Sequence, residues 1–384
     1  MRLLHVIHSM DPNSGGTTEA VHRLCEALNH LEVESQVASL DPPSLEVNGA
    51  LEIHRLGPGK LGKFAYSRKA AEWLSDSVEQ FDAVIIHGIW QFHDLAAANA
   101  CRKARIPYFV FTHGMLDPWF NRTYPLKKLK KQCYWPFFQY PVLRDANALL
   151  FTCEEECLLA RQSFSPYRVS EKIVGLGTQS LGKTREVLSN TFHSADYEWG
   201  KNPYLLFLGR IQEKKGLDLL LEAYRQLKDQ RVSLPDLVIA GPTQQKDYED
   251  RLKKGYPLTG VHWVGSLIGE LKWQALAAAE AMVLPSHQEN FGIVVAEALS
   301  IGTPCLISNK VNIWREVEAN SAGLICEDTT ESVKKMLVSW NGLDLSQKEK
   351  ISAKATNCFK ANFDISLSAE RLKRLISQTV TGYE

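Results

Sequence analysis

Short apolar or β-branched runs alternate with helical patterns along most of this chain, and that alternation limits the fold more than any other feature. Such an order builds parallel sheets covered by helices. In the first half it predicts strands at 2–8, 36–40, 51–55, 83–87, 107–112 and 147–152, with helices at 17–30, 64–79, 93–105, 126–143 and 154–163. In the second half it predicts strands at 204–209, 236–240, 261–264, 281–284, 304–307 and 323–326, again interleaved with helices. Residues 176–203 lack periodicity and carry Gly, Ser, Thr, Asn and Pro, which predicts a linker. After about residue 328 the pattern is helical to the end. At 384 residues the chain is long enough for two domains of ordinary size. Two doubly wound α/β domains are expected to gather ligands at the carboxyl ends of their strands, in a cleft between them.

Composition removes several alternatives. Lys+Arg and Asp+Glu balance at 44 each, which argues against a dedicated nucleic-acid binder. No apolar run approaches the ~18 residues of a membrane span. The opening Met-Arg-Leu-Leu-His-Val-Ile-His is too short for a secretory core and reads as a first strand. Eight scattered cysteines lack common zinc or redox spacing, so a reduced cytoplasmic setting is expected.

The stretch Pro285-Ser-His-Gln-Glu289-Asn290-Phe291-Gly292-Ile293 to Leu299 carries the most chemistry. A short apolar strand ends at Pro285, and a helix from Ile293 to Ile301 is closed by Gly302 and Pro304. Strand, polar loop, glycine, helix offers free backbone N–H groups and a positive helix end to an anion. Glu289 falls in the loop and Glu297 about one turn into the helix. Two carboxylates beside an anion site make sense if a neutral, hydroxyl-rich ligand separates them from phosphates.

Gly209-Arg210-Ile-Gln-Glu-Lys-Lys215-Gly216 opens the second half just past a strand end. Alone it reads as a solvated cationic loop; beside Glu289 and Glu297 it reads as a fork and a point charge for a diphosphate. Gly15-Gly16, before a helix, suits either an ordinary turn or a phosphate loop, and the dinucleotide fingerprint is absent. His113, in Thr112-His113-Gly114, ends a strand where ligand-facing residues gather, though a lone histidine is as readily a structural hydrogen-bonder.

Gly177-Thr-Gln-Ser-Leu-Gly-Lys183-Thr184 matches the P-loop pattern, but it lies in the expected linker and precedes no long amphipathic helix. No two aspartates stand one residue apart, so the simplest metal–diphosphate motif is missing and no metal is expected. Residues 119–140 mix four lysines with many aromatics, which suits contact with an anionic membrane or a lipid-linked sugar. The plainer alternative is an amphipathic helix with a wet lysine face.

Taken together, Gly15-Gly16, Thr112-His113-Gly114, Gly209-Arg210 with Lys215-Gly216, Glu289…Glu297 within Pro-Ser-x-x-Glu-x-Phe-Gly, and Gly302-x-Pro304 resemble the retaining GT-B glycosyltransferases of family GT4. The resemblance covers nearly the full length. His113 to Trp119 looks especially like bacterial exopolysaccharide members, cyanobacterial envelope-polysaccharide enzymes among them. The usual Pro-Asn-Gly before the linker is replaced by Gly175-Leu-Gly177.

The resemblance implies two Rossmann-like doubly wound domains facing a deep cleft: an acceptor domain over 1–185 and a nucleotide-sugar domain over 200–365, with a last helix, about 366–384, packing back on the first. It implies Glu297 on the ribose, Arg210 and Lys215 on the diphosphate, and Gly15 and Gly16 behind it. Glu289 with the loop Asn290, Phe291, Gly292 and Ile293 would bind the donor sugar, His113 would face it, and Gly241, Val264, Leu267 and Pro285 would surround the base. The activity implied is hexosyl transfer, from UDP-glucose above other donors, to a glycan or lipid-linked glycan, with no obligatory cofactor. A GT-B sugar-nucleotide epimerase and a non-catalytic nucleotide-binding protein are the alternatives. The expected place is the cytoplasm, with peripheral contact at the inner face of the plasma membrane through 119–140.

Overall fold

The computed structural model describes residues 1–46, 51–192 and 197–382; positions 193–196 of the expected linker and 383–384 of the expected last helix lie outside them. The chain forms two compact units, Met1–Gln179 with Ile365–Glu384, and Ser180–Asp364.

The first unit contains β1 (Arg2–Ile7), β2 (Glu34–Ser39), β3 (Glu52–Arg55), β4 (Ala83–His87), β5 (Tyr108–Phe111), β6 (Ala148–Phe151) and β7 (Glu171–Ile173). They pair in parallel in the order β3-β2-β1-β4-β5-β6-β7. Central strands such as Ala-Val-Ile-Ile-His in β4 are buried throughout because helices cover both faces, so they read as continuous apolar runs. On one face Leu4, Val84, Ile86, Val110 and Leu149 pack with Ala70, Leu74, Ala97 and Cys101. On the other, Leu3, Ile85, Phe109 and Leu150 meet Leu24 and Leu28 of the helix Gly16–His30. Ala369, Leu372 and Ile376 of the helix Ile365–Thr381 belong to that same layer.

The second unit contains β8 (Tyr204–Leu208), β9 (Asp236–Ala240), β10 (Val261–Gly265), β11 (Ala281–Leu284), β12 (Cys305–Ser308) and β13 (Gly323–Cys326). Their order is β10-β9-β8-β11-β12-β13, again parallel. In each sheet the chain changes direction of growth once, between β1 and β4 and between β8 and β11. A crevice outside the carboxyl ends of the strands forms at such a switch point.

Three local differences from the sequence expectation have physical causes. Strand β7 has only three residues, too short for a period, and is held by pairing with β6. The single helix expected over 126–143 is instead Pro125–Tyr134, a wide π turn at Trp135–Gln139, and Tyr140–Arg144. Pro136 and Pro141 lack the N–H that a continuous helix needs. Finally, Arg185–Asn190 within 176–203 is a short helix, capped by the Thr184 hydroxyl accepting from the Val187 N–H. It is anchored in the second unit by the Arg185 guanidinium, which donates to the carbonyls of Ala277, Ala279 and Gly302 and to Ser352 Oγ. The P-loop look-alike is thus committed to structure: Lys183 pairs with Glu270 at 3.0 Å and Thr184 is a helix cap.

Candidate functional site

In the second unit Arg210, Lys215 and Glu289 lie on the two loops that flank the switch point, after β8 and after β11, and Glu297 lies on the helix that follows the second loop. The loops are stitched together by backbone: the His287 N–H donates to the Lys214 carbonyl at 2.8 Å, and the Gln288 N–H to the same oxygen at 3.3 Å. Gly216 has φ +66°, and a Cβ there would overlap the Pro285 carbonyl, so only glycine lets the loops approach this closely. That approach brings the buried Lys215 against the half-buried Glu289 as an ion pair. Burial, then the neighbouring Lys214 and Arg210, pushes the Lys215 ammonium well below its ordinary range.

Glu289 is held from behind as well. Its N–H donates to the Lys310 carbonyl at 2.9 Å, and its own carbonyl accepts from the Asn312 N–H at 3.0 Å. Asn290 Oδ1 accepts from Asn312 Nδ2 at 3.4 Å. Gly292, with φ +72°, turns the chain into the helix Ile293–Ser300, and Phe291 is buried against Phe363. Glu297 on that helix is 2% exposed and accepts from Lys272 Nζ at 2.8 Å. Lys272 also lies over the Trp273 ring.

The remaining expected residues of this unit ring the same edge of the sheet. Arg210 follows β8, half-buried, and donates to Gln244 Oε1 at 3.3 Å. Gly241 follows β9 and donates its N–H to the Gly265 carbonyl at 2.8 Å. Val264 lies in β10, Leu267 just beyond it, and Pro285 after β11.

In the first unit, Gly15 caps the helix that begins at Gly16, with φ 110° and ψ −160°. His113, two residues past β5, has φ +48°. A non-glycine residue with that backbone needs support. The support is Glu156, a buried carboxylate that accepts from Thr112 Oγ1 at 2.7 Å and from the Gly114 N–H at 2.6 Å. It also accepts from the Thr152 N–H at 2.8 Å and Thr152 Oγ1 at 2.6 Å. His113 Nε2 lies 3.0 Å from His87 Nδ1.

Sequence reasoning missed Lys272, Glu156 and His87. Lys272 sits on the helix Gly269–Ala278, which has no apolar stripe to mark a face. Glu156 is the third of three glutamates opening the helix Glu154–Ala160 and reads as a dipole-favouring cluster. His87 ends an apolar strand, and that position, shared with His113, was the available signal.

Two parallel sheets, of seven and six strands with their helices, define the α/β class of GT-B glycosyltransferases. The chain belongs to the GT4-type glycosyltransferases of that class: the Glycosyl transferase 4-like domain family matches residues 15–171 and Glycosyl transferases group 1 matches residues 189–353. A glycogen synthase of Mycobacterium tuberculosis is 34% identical over 123 residues, 32% of this chain and 30% of that protein. A GDP-mannose:cellobiosyl-diphosphopolyprenol alpha-mannosyltransferase of Xanthomonas oryzae pv. oryzae is 24% identical over 343 residues, 85% of this chain and 83% of that one. The crystal structure of Anabaena HepE in complex with UDP and glucose is similar with a TM-score of 0.74 at 16% identity, covering 98% of this chain and 100% of that one. The matched part spans about 30% of the length of the first curated relatives.

Proposed function

We propose that this chain transfers a hexosyl group from a nucleoside diphosphate sugar to a glycan or lipid-linked glycan, with retention of configuration. The observation that carries the reading is the ion pair of buried Lys215 with half-buried Glu289 at the switch point, with buried Glu297 on the helix that follows. A diphosphate competes for Lys215 and sugar hydroxyls compete for Glu289, so the ligand can replace the pair without leaving either charge bare. Arg210 and Lys215 stabilise the diphosphate as it leaves. Glu297 takes the ribose hydroxyls, and Gly241, Val264, Leu267 and Pro285 border the base. Asn290, the Phe291 and Gly292 amides and Ile293 complete the sugar side; of the first unit's residues, the same reading assigns Gly15, Gly16 and His113 to the donor. Front-face attack, with a diphosphate oxygen taking the acceptor proton, gives retention with no protein nucleophile. No obligatory metal is part of this reading.

UDP-glucose is the favoured donor, supported by the HepE complexes with UDP-glucose and with UDP and glucose; the GDP-mannose named for the Xanthomonas relative is the rival. Calorimetric titration with UDP-, GDP- and ADP-sugars separates them. UDP-glucose is expected to bind most tightly, and failure of every donor to bind would refute the assignment.

The acceptor side is proposed to meet an anionic membrane. Leu126 and Leu129 are 84% and 65% exposed, beside exposed Lys127, Lys128 and Lys130, with Phe137 and Phe138 following. Apolar anchors set among cations match an anionic lipid surface. Lys131 is set apart: it lies over the Trp90 ring, and burial pulls its ammonium down to about 8. Among the described residues no helix is long and apolar enough to cross a membrane. Sedimentation with anionic vesicles, lost in Lys127→Glu/Lys130→Glu, is the expected result; equal binding to neutral vesicles would overturn it.

A further inference from the structure

Three histidines at the switch point of the first sheet are joined end to end. His5 lies in β1, His87 closes β4 and His113 follows β5. His5 Nδ1 is 2.9 Å from His87 Nε2, and His87 Nδ1 is 3.0 Å from His113 Nε2. The rings are nearly coplanar in tilt, 15° apart for the first pair and 23° for the second. His93 Nε2–H donates to the His87 carbonyl at 2.9 Å and fixes the middle of the chain. Among the described residues no group of three or more His, Cys, Asp or Glu is placed to hold a metal ion.

Each link needs one donor and one acceptor, and a neutral imidazole has one of each. Burial keeps the rings neutral, pulling His5 down to about 3 and His113 to about 4, with His87 also well below its ordinary range. Only two orders of protons then satisfy both links. In one, His113 donates inward and the last proton is stranded on His5 Nε2. In the other, His5 Nδ1–H donates to His87 and His87 Nδ1–H donates to His113. His5 Nε2 is buried with no hydrogen-bond partner in the structure. A bare buried N–H is rarer than an unused acceptor, so the outward order is favoured.

We propose that His5 and His87 are positioning residues that hold His113 as its Nδ1–H tautomer, so that His113 offers a hydrogen-bond donor to ligand oxygen and cannot act as a base. Resting on the transfer reading above, that oxygen is a hydroxyl of the donor sugar. The acceptor proton then leaves to a group other than His113, which the transfer reading takes to be the diphosphate. Glu156 fixes the backbone that aims the ring.

The test uses the full chain labelled with 15N-histidine, with His113 assigned through His113→Asn. Long-range 15N–1H correlation is expected to give a protonated Nδ1 and a bare Nε2 for His113. The reverse pattern, or two averaged nitrogens, would overturn the proposal. In His5→Phe the two His113 nitrogens are expected to move towards averaged values, while kcat for transfer falls about tenfold at unchanged KM for the donor. His5→Asn can still donate to His87 Nε2 and is expected to restore both. A single unchanged tautomer in His5→Phe would sink the positioning role. Should His5→Phe not fold, the unaltered chain and His5→Asn still decide the tautomer. Absence of donor binding alongside the expected tautomer would refute glycosyl transfer and leave the histidine chain standing.

Discussion

The two units place the residues of the proposed site at the switch point of the same kind of sheet, yet they build them from opposite materials. The second unit uses charge: Lys215 against Glu289, and Lys272 against buried Glu297. The first uses neutral rings, His5, His87 and His113, aimed by one carboxylate, Glu156, that never faces a cation in its four hydrogen bonds. Opposite charges can trade partners with a charged ligand. A chain of neutral imidazoles has only its proton order to offer, and that order is useful when it is kept. On the proposed reading, the contrast separates a surface that grips from one that orients.

The largest effect is expected from Glu156→Ala, which strands the hydroxyl and amide donors of two turns. The first unit should lose about 3 kcal/mol or more. Hydrogen exchange at Gly114 and Thr152 reads this directly, and native protection there would mean that the carboxylate does not hold the His113 turn. Next, Glu289→Ala should lower transfer at least about a hundredfold while leaving UDP affinity within about twofold. Glu297→Ala should do the reverse to binding, weakening UDP by about tenfold, with Lys272→Met a milder copy. If the two glutamates exchange phenotypes, the division between ribose and sugar is wrong.

Acid should act on the neutral rings. His5 at about 3 and His93 and His113 at about 4 in the folded chain lie below the 6.5 of a free histidine. Below 6.5 the unfolded chain takes up protons that the folded one refuses. Their contribution is therefore whole above pH 6.5 and is lost as pH falls towards 4, at up to about 1.4 kcal/mol per pH unit for each ring. Melting curves at pH 7 and pH 5 measure the slope, and His5→Phe should flatten it by one ring's share. The smallest effect belongs to Lys183→Ala. Its exposed pair with Glu270 is expected to matter by less than about 0.5 kcal/mol, and nucleotide affinity should not move. A loss of nucleotide binding would revive the P-loop look-alike.

Much of this was legible in the residues, for reasons that also explain what was not. The α/β architecture follows from buried strands such as Leu205 to Leu208 and Ala281 to Leu284, whose apolar runs need no partner to be recognised. Arg210, Lys215 and Glu289 stood out because they fall in the polar loops that follow those runs, and Glu297 because it is a carboxylate in the helix that the second loop opens. Lys272 and Glu156 act from elsewhere in the chain, 25 positions from Glu297 and 42 from Gly114, and nothing local marks such a pairing. The histidine chain hides for another reason. Its members are single residues, two on strands and one just past a third, and only the parallel order β1-β4-β5 sets them side by side. The break at Trp135–Gln139 was signalled by Pro136, but an amphipathic pattern outweighs one proline when only periodicity is read.

The helix Ile365–Thr381 gives Ala369, Leu372 and Ile376 to the core of the first unit, beyond the whole of the second. During synthesis the ribosome therefore releases Ser180–Asp364 as one uninterrupted stretch while one face of the first unit's sheet is still only partly covered. Order of manufacture and order of completion are inverted: the half made first is the half finished last.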